Sequence, residues 1–289
     1  MAARAVYTAL LGDYEALNDV QVSATDVDFV CFTDNPEVRS DRWRIVVVDP
    51  QFPLDPHRSQ RRIKILGHPV LADYAETLYI DNSVSLRGAV GELFDYLLAD
   101  ADMGMAQHSA RSSLLEEFAT VWRQGLDDHH RLMEQWDHYA ATYPDLLGGP
   151  VLWGGIIARR KSAPVSALCA TWFEHVLRYS RRDQLSAPVA VALHPEARFR
   201  MNALDNGAST WHSWRVARSR NTTMRGAGWT LRVPQELRLV QENADSLIEL
   251  EARLAQETVR NESLESVIEE MRSSRSWRIT APLRAVRRK

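Results

Sequence analysis

Thr77-Leu-Tyr-Ile80, followed at once by Asp81-Asn82-Ser83, is the stretch on which the fold turns. A short apolar run makes a buried strand, and an acid and an amide end it. The same arrangement occurs three times upstream. Ala5-Val-Tyr-Thr-Ala-Leu-Leu11 closes on Gly12-Asp13, Val27-Asp-Phe-Val-Cys-Phe-Thr33 on Asp34-Asn-Pro36, and Trp43-Arg-Ile-Val-Val-Val48 on Asp49-Pro50. Runs of this kind read as strands buried on both faces, the pattern of a parallel sheet. Helical spacing fills residues 56–74, 88–99, 114–143 and 164–179. The alternation predicts an α/β fold, an open sheet flanked by helices, over residues 5 to about 200. In such sheets ligands bind at the carboxyl ends of the strands, where the acids and amides fall here.

The 289 residues are 45% hydrophobic and 25% charged, which excludes collagenous and wholly disordered classes. That length accommodates one large α/β domain with an appendage. Two cysteines, Cys31 and Cys169, make neither a disulfide framework nor a zinc site alone, so a reduced cytoplasmic setting is expected. The first residues run into a strand without an apolar signal region. No stretch approaches the roughly 20 apolar residues needed to span a bilayer. Any membrane contact is therefore expected to be peripheral, on the inner face of the cell membrane. Gly-x-Ser-x-Gly, Walker and Gly-x-Gly-x-x-Gly motifs do not occur, so those hydrolase and nucleotide-binding classes lack their signatures. Nucleic acid is not an expected partner, since residues 198–232 hold the one basic stretch with interleaved aromatics.

A net charge of −3 conceals three regimes. Residues 198–232 carry seven arginines against one acid, and residues 235–270 carry ten acids against three arginines. Residues 272–289 hold seven bases and no acid. In the acidic zone, heptad a positions fall on Val240, Leu247, Leu254, Asn261 and Ile268, and d positions on Asn243, Leu250, Glu257, Leu264 and Met271. The spacing predicts a parallel homodimeric coiled coil, with a lone amphipathic helix packed on the domain as the alternative. The expected organisation is a catalytic domain at 1–232, a stalk at 233–272 and a basic tail at 273–289.

Asp81 and Ser83 face the same side of an extended chain, an arrangement that suits a hard divalent cation or an ordinary turn. Arg182-Asp183-Gln184 sits at a helix end and reads equally as a ligand site or a cap. Arg58, Arg61 and Arg62 share a helix face at i, i+3, i+4, suited to phosphate or simply to solvent. His129, His130 and His138, in a Trp-rich helical stretch, are expected to be structural.

In order, these pieces resemble the glycosyltransferase-like family long filed as "domain of unknown function 616". The matching stretches are Val6-Tyr-Thr-Ala-Leu-Leu-Gly-Asp-Tyr14, Phe29-Val-Cys-Phe-Thr-Asp34, Arg62-Ile-Lys-Ile-Leu-Gly-His68 and Leu78-Tyr-Ile-Asp-Asn-Ser83. They continue through His108, Arg111, Glu116 and Glu117 to Gly154-Gly-Ile-Ile-Ala-Arg-Arg160, Trp172-Phe-Glu-His175 and Arg182-Asp-Gln-Leu-Ser186. The resemblance implies a GT-A-like fold and a nucleotide-sugar donor, with a divalent metal (Mn or Mg) held by Asp81, Ser83 and His212. It places Thr8 and Asp34 beside the nucleotide, Arg61 and Lys64 by the diphosphate, and Asp183 and Gln184 at the reacting centre. Asp183, Glu116 or Glu117 would serve as base if the reaction inverts. Ser83 replaces the second carboxylate of the family's Asp-x-Asp motif, which weakens the expected metal site.

Ser274-Arg-Ser-Trp-Arg-Ile-Thr-Ala-Pro-Leu-Arg284 is similar to the tail that ends many bacterial polysaccharide glycosyltransferases. The reading that follows is a metal-assisted, retaining glycosyltransferase acting on a glycan or lipid-linked glycan of the capsule or O-antigen type. A catalytically silent coiled-coil scaffold and a metal-dependent hydrolase on the same fold remain the alternatives.

Overall fold

The computed structural model describes residues 3–12, 15–19, 21–22, 24, 26–214, 235–275 and 277. The chain divides into two compact units, Met1–Leu231 and Arg232–Lys289.

The first unit is built on a seven-stranded sheet of order β3-β2-β1-β4-β7-β6-β8. Its strands are β1 (Arg4–Leu10), β2 (Val27–Thr33), β3 (Arg44–Val47), β4 (Glu76–Ile80), β6 (Met103–Gln107), β7 (Leu152–Arg160) and β8 (Phe199–Asn202). A two-stranded sheet pairs β5 (Val84–Leu86) with β9 (His212–Trp214). The helices are α1 (Pro56–Leu66), α2 (Val90–Leu98), α3 (Leu114–Arg123), α4 (His129–Thr142), α5 (Pro144–Leu147), α6 (Ala163–Arg178) and α7 (Asp183–Leu193). The open α/β sheet flanked by helices is therefore as expected. Pairing is parallel across β3-β2-β1-β4, as the buried runs imply, but β7 enters antiparallel between β4 and β6.

Strand alternation divides the core into two layers. Tyr7, Val30, Phe32 and Tyr79 face Ile63 and Ile65 of α1 and Leu168 and Trp172 of α6. Val6, Phe29, Leu78 and Ile80 face Leu93, Phe94 and Leu97 of α2. Burying an aliphatic or aromatic side chain contributes about 1.5–3 kcal/mol, so both layers hold the sheet against its helices.

Two helical stretches are shorter than their spacing suggests. α1 ends at Leu66 because Gly67 adopts φ +75° and its N–H bonds Ile63 O at 2.9 Å; a 3₁₀ turn, Pro69–Leu71, follows. Residues 114–143 split at Gly125 (φ +57°), and the Asp128 carboxylate caps the next helix by accepting from Arg131 N. His129 stacks on Trp122 at 4.3 Å, and His138 Nδ1 and Tyr179 Oη share a hydrogen bond of 2.5 Å; both are packing residues. Cys31 and Cys169 are buried free thiols.

In the second unit α8 (Gln235–Ser273) is one continuous helix of 39 residues. Leu247, Leu250, Leu254, Leu264, Ile268 and Met271, all heptad positions, are exposed on it. No helix among the described residues is long and apolar enough to cross a membrane. Residues 215–234 and nearly all of the expected basic tail lie outside the described residues.

Candidate active site

The site starts with α1. Asp55 caps its first turn by accepting from Arg58 N at 3.0 Å, and Pro56 occupies the first position, where a missing N–H costs nothing. Arg58 does not present itself to a phosphate: it pairs with Asp55 at 2.6 Å and donates to the carbonyls of Val176 and Tyr179. The other end of α1 is held by buried side chains. Tyr7 Oη donates to Lys64 O at 2.9 Å, and the Arg159 guanidinium donates to the carbonyls of Lys64 and Ile65. Arg159 Nη2 also donates to Tyr7 Oη at 2.8 Å. A fully buried cation thus satisfies the orphan carbonyls at the negative end of the helix dipole. Burial pushes the Tyr7 phenol up to about 12 despite Arg159 beside it, so it remains a donor.

This clamp fixes Lys64. Its Nζ lies 2.7 Å from Asp183 Oδ2 and 3.4 Å from Asp81 Oδ1, with the side chain only 2% exposed. Asp81 follows β4, and its N–H bonds Gly155 O of β7 at 2.9 Å. Asp183 opens α7 and also pairs with Arg61 Nε at 3.0 Å. Burial raises the Asp183 carboxyl, but Arg61 and Lys64 outweigh it and hold the group well below the usual carboxylate range. A chain of donors runs from Gln60 Nε2 to Tyr79 Oη (2.6 Å) and on to Asp81 Oδ1 (2.7 Å). Backbone forms the floor: a Cβ on Gly154 would come within 2.9 Å of Lys64 Nζ and 3.0 Å of Asp183 Oδ2. The glycine leaves that space to the ion pair, which a side chain would have to displace.

Beside this centre, at the carboxyl ends of β1 and β2, is a pocket of about 330 Å³ lined by Leu10, Leu17, Thr33, Asp34, Asn35 and Arg39, among others. Asp34 lies on the pocket, and its carboxylate accepts from Gly12 N at 3.0 Å. Thr8 does not: it is fully buried inside β1, before the strand's end. Gln184 is half-buried next to Asp183; its Oε1 accepts from Arg182 Nη2 at 3.2 Å.

Two of the three expected metal ligands, Ser83 and His212, are engaged by other partners. Ser83 Oγ accepts from Trp214 Nε1 at 3.0 Å. His212 is buried, with Nε2 at 3.2 Å from Asn206 O and Nδ1 at 2.8 Å from Ser209 Oγ. The carbonyl can only accept, so Nε2 carries the proton and Nδ1 accepts from the serine; neither nitrogen is open to a metal. No group of three or more His, Cys, Asp and Glu that could hold a metal ion occurs among the described residues. The donor set does not fit a divalent cation.

The alternative bases are otherwise engaged. Glu116 accepts from Ser112 N at 2.8 Å while its own N–H bonds Ser113 Oγ, as a helix cap. Glu117 is 1% exposed, between Arg111 (3.0 Å) and Arg182 (3.7 Å). Sequence reasoning missed Arg159 and Tyr7 as determinants of the site, although Gly154 through Arg160 stands out as a motif.

A sheet whose carboxyl edge carries a pocket and, one strand along, a buried lysine between two carboxylates defines a ligand-binding α/β enzyme of the nucleotide-binding type. The chain belongs to the TOD1/MUCI70 glycosyltransferase-like domain family, which it matches over residues 30–210. No curated protein matches it. Among solved structures it is similar to mouse xyloside xylosyltransferase 1 in the apo form, at 13% identity and a TM-score of 0.40, over 70% of this chain and 84% of that one. It is also similar to the mannosyltransferase Ktr4p of S. cerevisiae, at 12% identity and a TM-score of 0.39, over 67% of this chain and 66% of that one. Likenesses this distant carry no argument about chemistry; the family match does.

Proposed function

We propose that the Met1–Leu231 unit transfers a sugar from a nucleotide-sugar donor to a hydroxyl of a glycan or lipid-linked glycan. The observation that carries this reading is Lys64, buried between Asp81 and Asp183 one strand away from the pocket at Asp34. The nucleoside would occupy that pocket, and the diphosphate would extend across the end of β1 toward Lys64 and Arg61.

Transfer breaks the bond between the anomeric carbon and the diphosphate oxygen, and the electron pair leaves on that oxygen. Stabilising this charge is the main electrostatic task, and two cations fixed before the reaction begins perform it without reorganisation. The acceptor hydroxyl oxygen forms the new bond, and its proton must go to a base. Asp183 is locked by two cations, Glu116 is a cap and Glu117 is buried. Asp81 Oδ1 is likewise held, by Tyr79 and Lys64, and in this reading the departing phosphate oxygen takes the proton, which puts attack on the leaving-group face with retention of the anomeric configuration. Gln184, beside Asp183, would orient the sugar at that carbon.

The tail resemblance supports a bacterial cell-surface polysaccharide as the setting, with α8 pairing two chains and the basic tail meeting an anionic membrane from the cytoplasmic side. Incubating the purified protein with a panel of nucleotide sugars and an acceptor glycan extract tests the activity. Acceptor-dependent release of a nucleoside diphosphate together with a lengthened glycan is expected. Release without any glycosylated product would identify a hydrolase, and no release from any donor would favour the scaffold.

A further inference from the structure

We propose that Lys64 and Arg61 take the place of a divalent metal in this site, so that the donor's diphosphate binds and departs without one. The inference rests on the glycosyl-transfer reading and specifies how its donor is held.

A cation site needs a surplus of anionic oxygen aimed at one point. Here the surplus has the other sign. Arg61 and Lys64 are paired with Asp81 and Asp183, charge for charge, while a separate neighbouring group sets two bases, Arg111 and Arg182, on the single carboxylate of Glu117, and the Arg182 charge is felt at Asp183. Asp81 Oδ1 already accepts from Tyr79 Oη and faces the Lys64 ammonium. A divalent ion on Asp81 would stand beside a fixed positive charge in a partly buried place, where repulsion is poorly screened. Ser83 and His212, its other expected ligands, are committed to Trp214, Ser209 and Asn206.

The same geometry suits a diphosphate. An ammonium has three N–H donors, and Asp81 and Asp183 account for two of those of Lys64. Arg61 extends the positive surface outward, with 16% of its side chain exposed, and Asp183 fixes its direction. Asp81, 34% exposed, forms the rim. Its carboxylate holds Lys64 in place and opposes an incoming anion, which keeps the diphosphate on the Arg61 side and favours product release. When the anomeric bond breaks, the electron pair remains on the diphosphate oxygen, the acceptor oxygen bonds to carbon and the acceptor proton moves to that phosphate oxygen. Lys64 and Arg61 stay protonated throughout.

The test is calorimetric titration of the full chain with UDP, GDP, ADP, CDP and dTDP, each in EDTA and in manganese chloride. At least one is expected to bind in EDTA with a Kd within threefold of its value in manganese. Asp81→Asn should tighten that binding several-fold, because it removes an opposing charge; a metal ligand would give the reverse. Arg61→Gln should weaken it tenfold or more and Arg61→Lys restore part of the loss, with a thermal melt confirming the fold of each. Manganese added to the protein alone should keep the electron paramagnetic resonance spectrum of the free aqueous ion.

Binding that requires manganese, loss of binding in Asp81→Asn, or a stoichiometric bound manganese signal would each overturn the inference while leaving glycosyl transfer standing. Binding of no nucleoside diphosphate in either buffer would overturn both.

Discussion

Arg159, on a central strand, donates its guanidinium to the main-chain carbonyl of Lys64, so the residue beneath the site holds the residue within it by the backbone. The contact is made to an atom every residue possesses. What matters is therefore the donor and not the identity of its partner. Arg159→Leu should strip the buried Ile65 carbonyl of its Arg159 donor and leave Lys64 O and Tyr7 Oη bonded only to each other. Orphaned buried polar groups cost about 1–3 kcal/mol each, so a large fall in Tm is expected. Arg159→Lys, which keeps the charge but not the fork, should fold and lose turnover more than donor affinity. Wild-type turnover in that variant would show that α1 is positioned without Arg159.

Gly154→Ala places a methyl group within 3 Å of both Lys64 Nζ and Asp183 Oδ2. The ion pair must part or shift, so transfer should fall at least tenfold with a modest change in Tm. Activity equal to wild type would mean that Lys64 can move without consequence.

Asp183→Asn and Gln184→Ala should separate two neighbours. Removing the Asp183 charge takes the shared carboxylate from Arg61 and leaves Lys64 with Asp81 at 3.4 Å; breaking a buried pair in this way costs about 3–5 kcal/mol, so stability and turnover fall together. Gln184→Ala should lower turnover with little change in Tm, since the side chain is half-buried and its bonds to Arg182 and Leu152 O are long, at 3.2 and 3.5 Å. If Gln184→Ala melts early and keeps full turnover, the residue is a structural cap.

Two histidines set an acid limit. Burial first, then Arg181 and Arg61, pushes His57 down to about 4; burial, then Arg111 and Arg182, does the same to His108. In the unfolded chain both titrate near 6.5. Between about pH 6.5 and 4 the unfolded state therefore binds more protons, and stability falls as pH falls through that window. Melting curves from pH 7.5 to 4.5 should show Tm declining below about 6.5, with the slope reduced in His108→Gln. A flat profile would contradict the assignment.

The proposed pairing of two chains through α8 would cover its exposed heptad residues. In a parallel pair Arg260, at a g position, faces Glu265 of the partner subunit at an e position, an attraction that antiparallel pairing would not provide. Sedimentation should show a dimer at micromolar concentration, and Leu254→Asp with Leu264→Asp should abolish it. Flotation with anionic liposomes should retain the full chain and release one ending at Met271, because each basic residue near such a surface contributes about 1 kcal/mol. A monomer in the first assay removes the coiled coil; equal flotation in the second removes membrane docking.

Much of this architecture can be read from the sequence where local chemistry decides it. β2 coincides with the apolar run from Val27 to Thr33, and Asp81 lies at a strand end because the acid itself terminates the run. What was hidden depends on residues far apart in the chain. Leu152–Arg160 carries two adjacent glycines, which mask a strand, and its antiparallel entry follows from no local signal. Asp183 reads as a cap until Lys64, over a hundred residues earlier, is brought to 2.7 Å from it. His212 has the right element for a ligand, yet its ring is committed to Ser209 and Asn206, which only the folded loop supplies.

The glycine pair has one more effect. Along β7 the partner of Met105 is Ile157 but that of Ala106 is Trp153, so the strand gains residues at Gly154-Gly155. In an unbroken strand, positions five apart point to opposite sides. The bulge resets that parity, so the floor at Gly154 and the clamp at Arg159 both face α1. The interval between them then acts as a gauge, and its length matters more than its composition. Ile156→Val or Ile157→Val should be nearly silent, whereas deleting any one residue from 155 to 158 would turn Arg159 toward α2 and release the lysine without touching any side chain that contacts it.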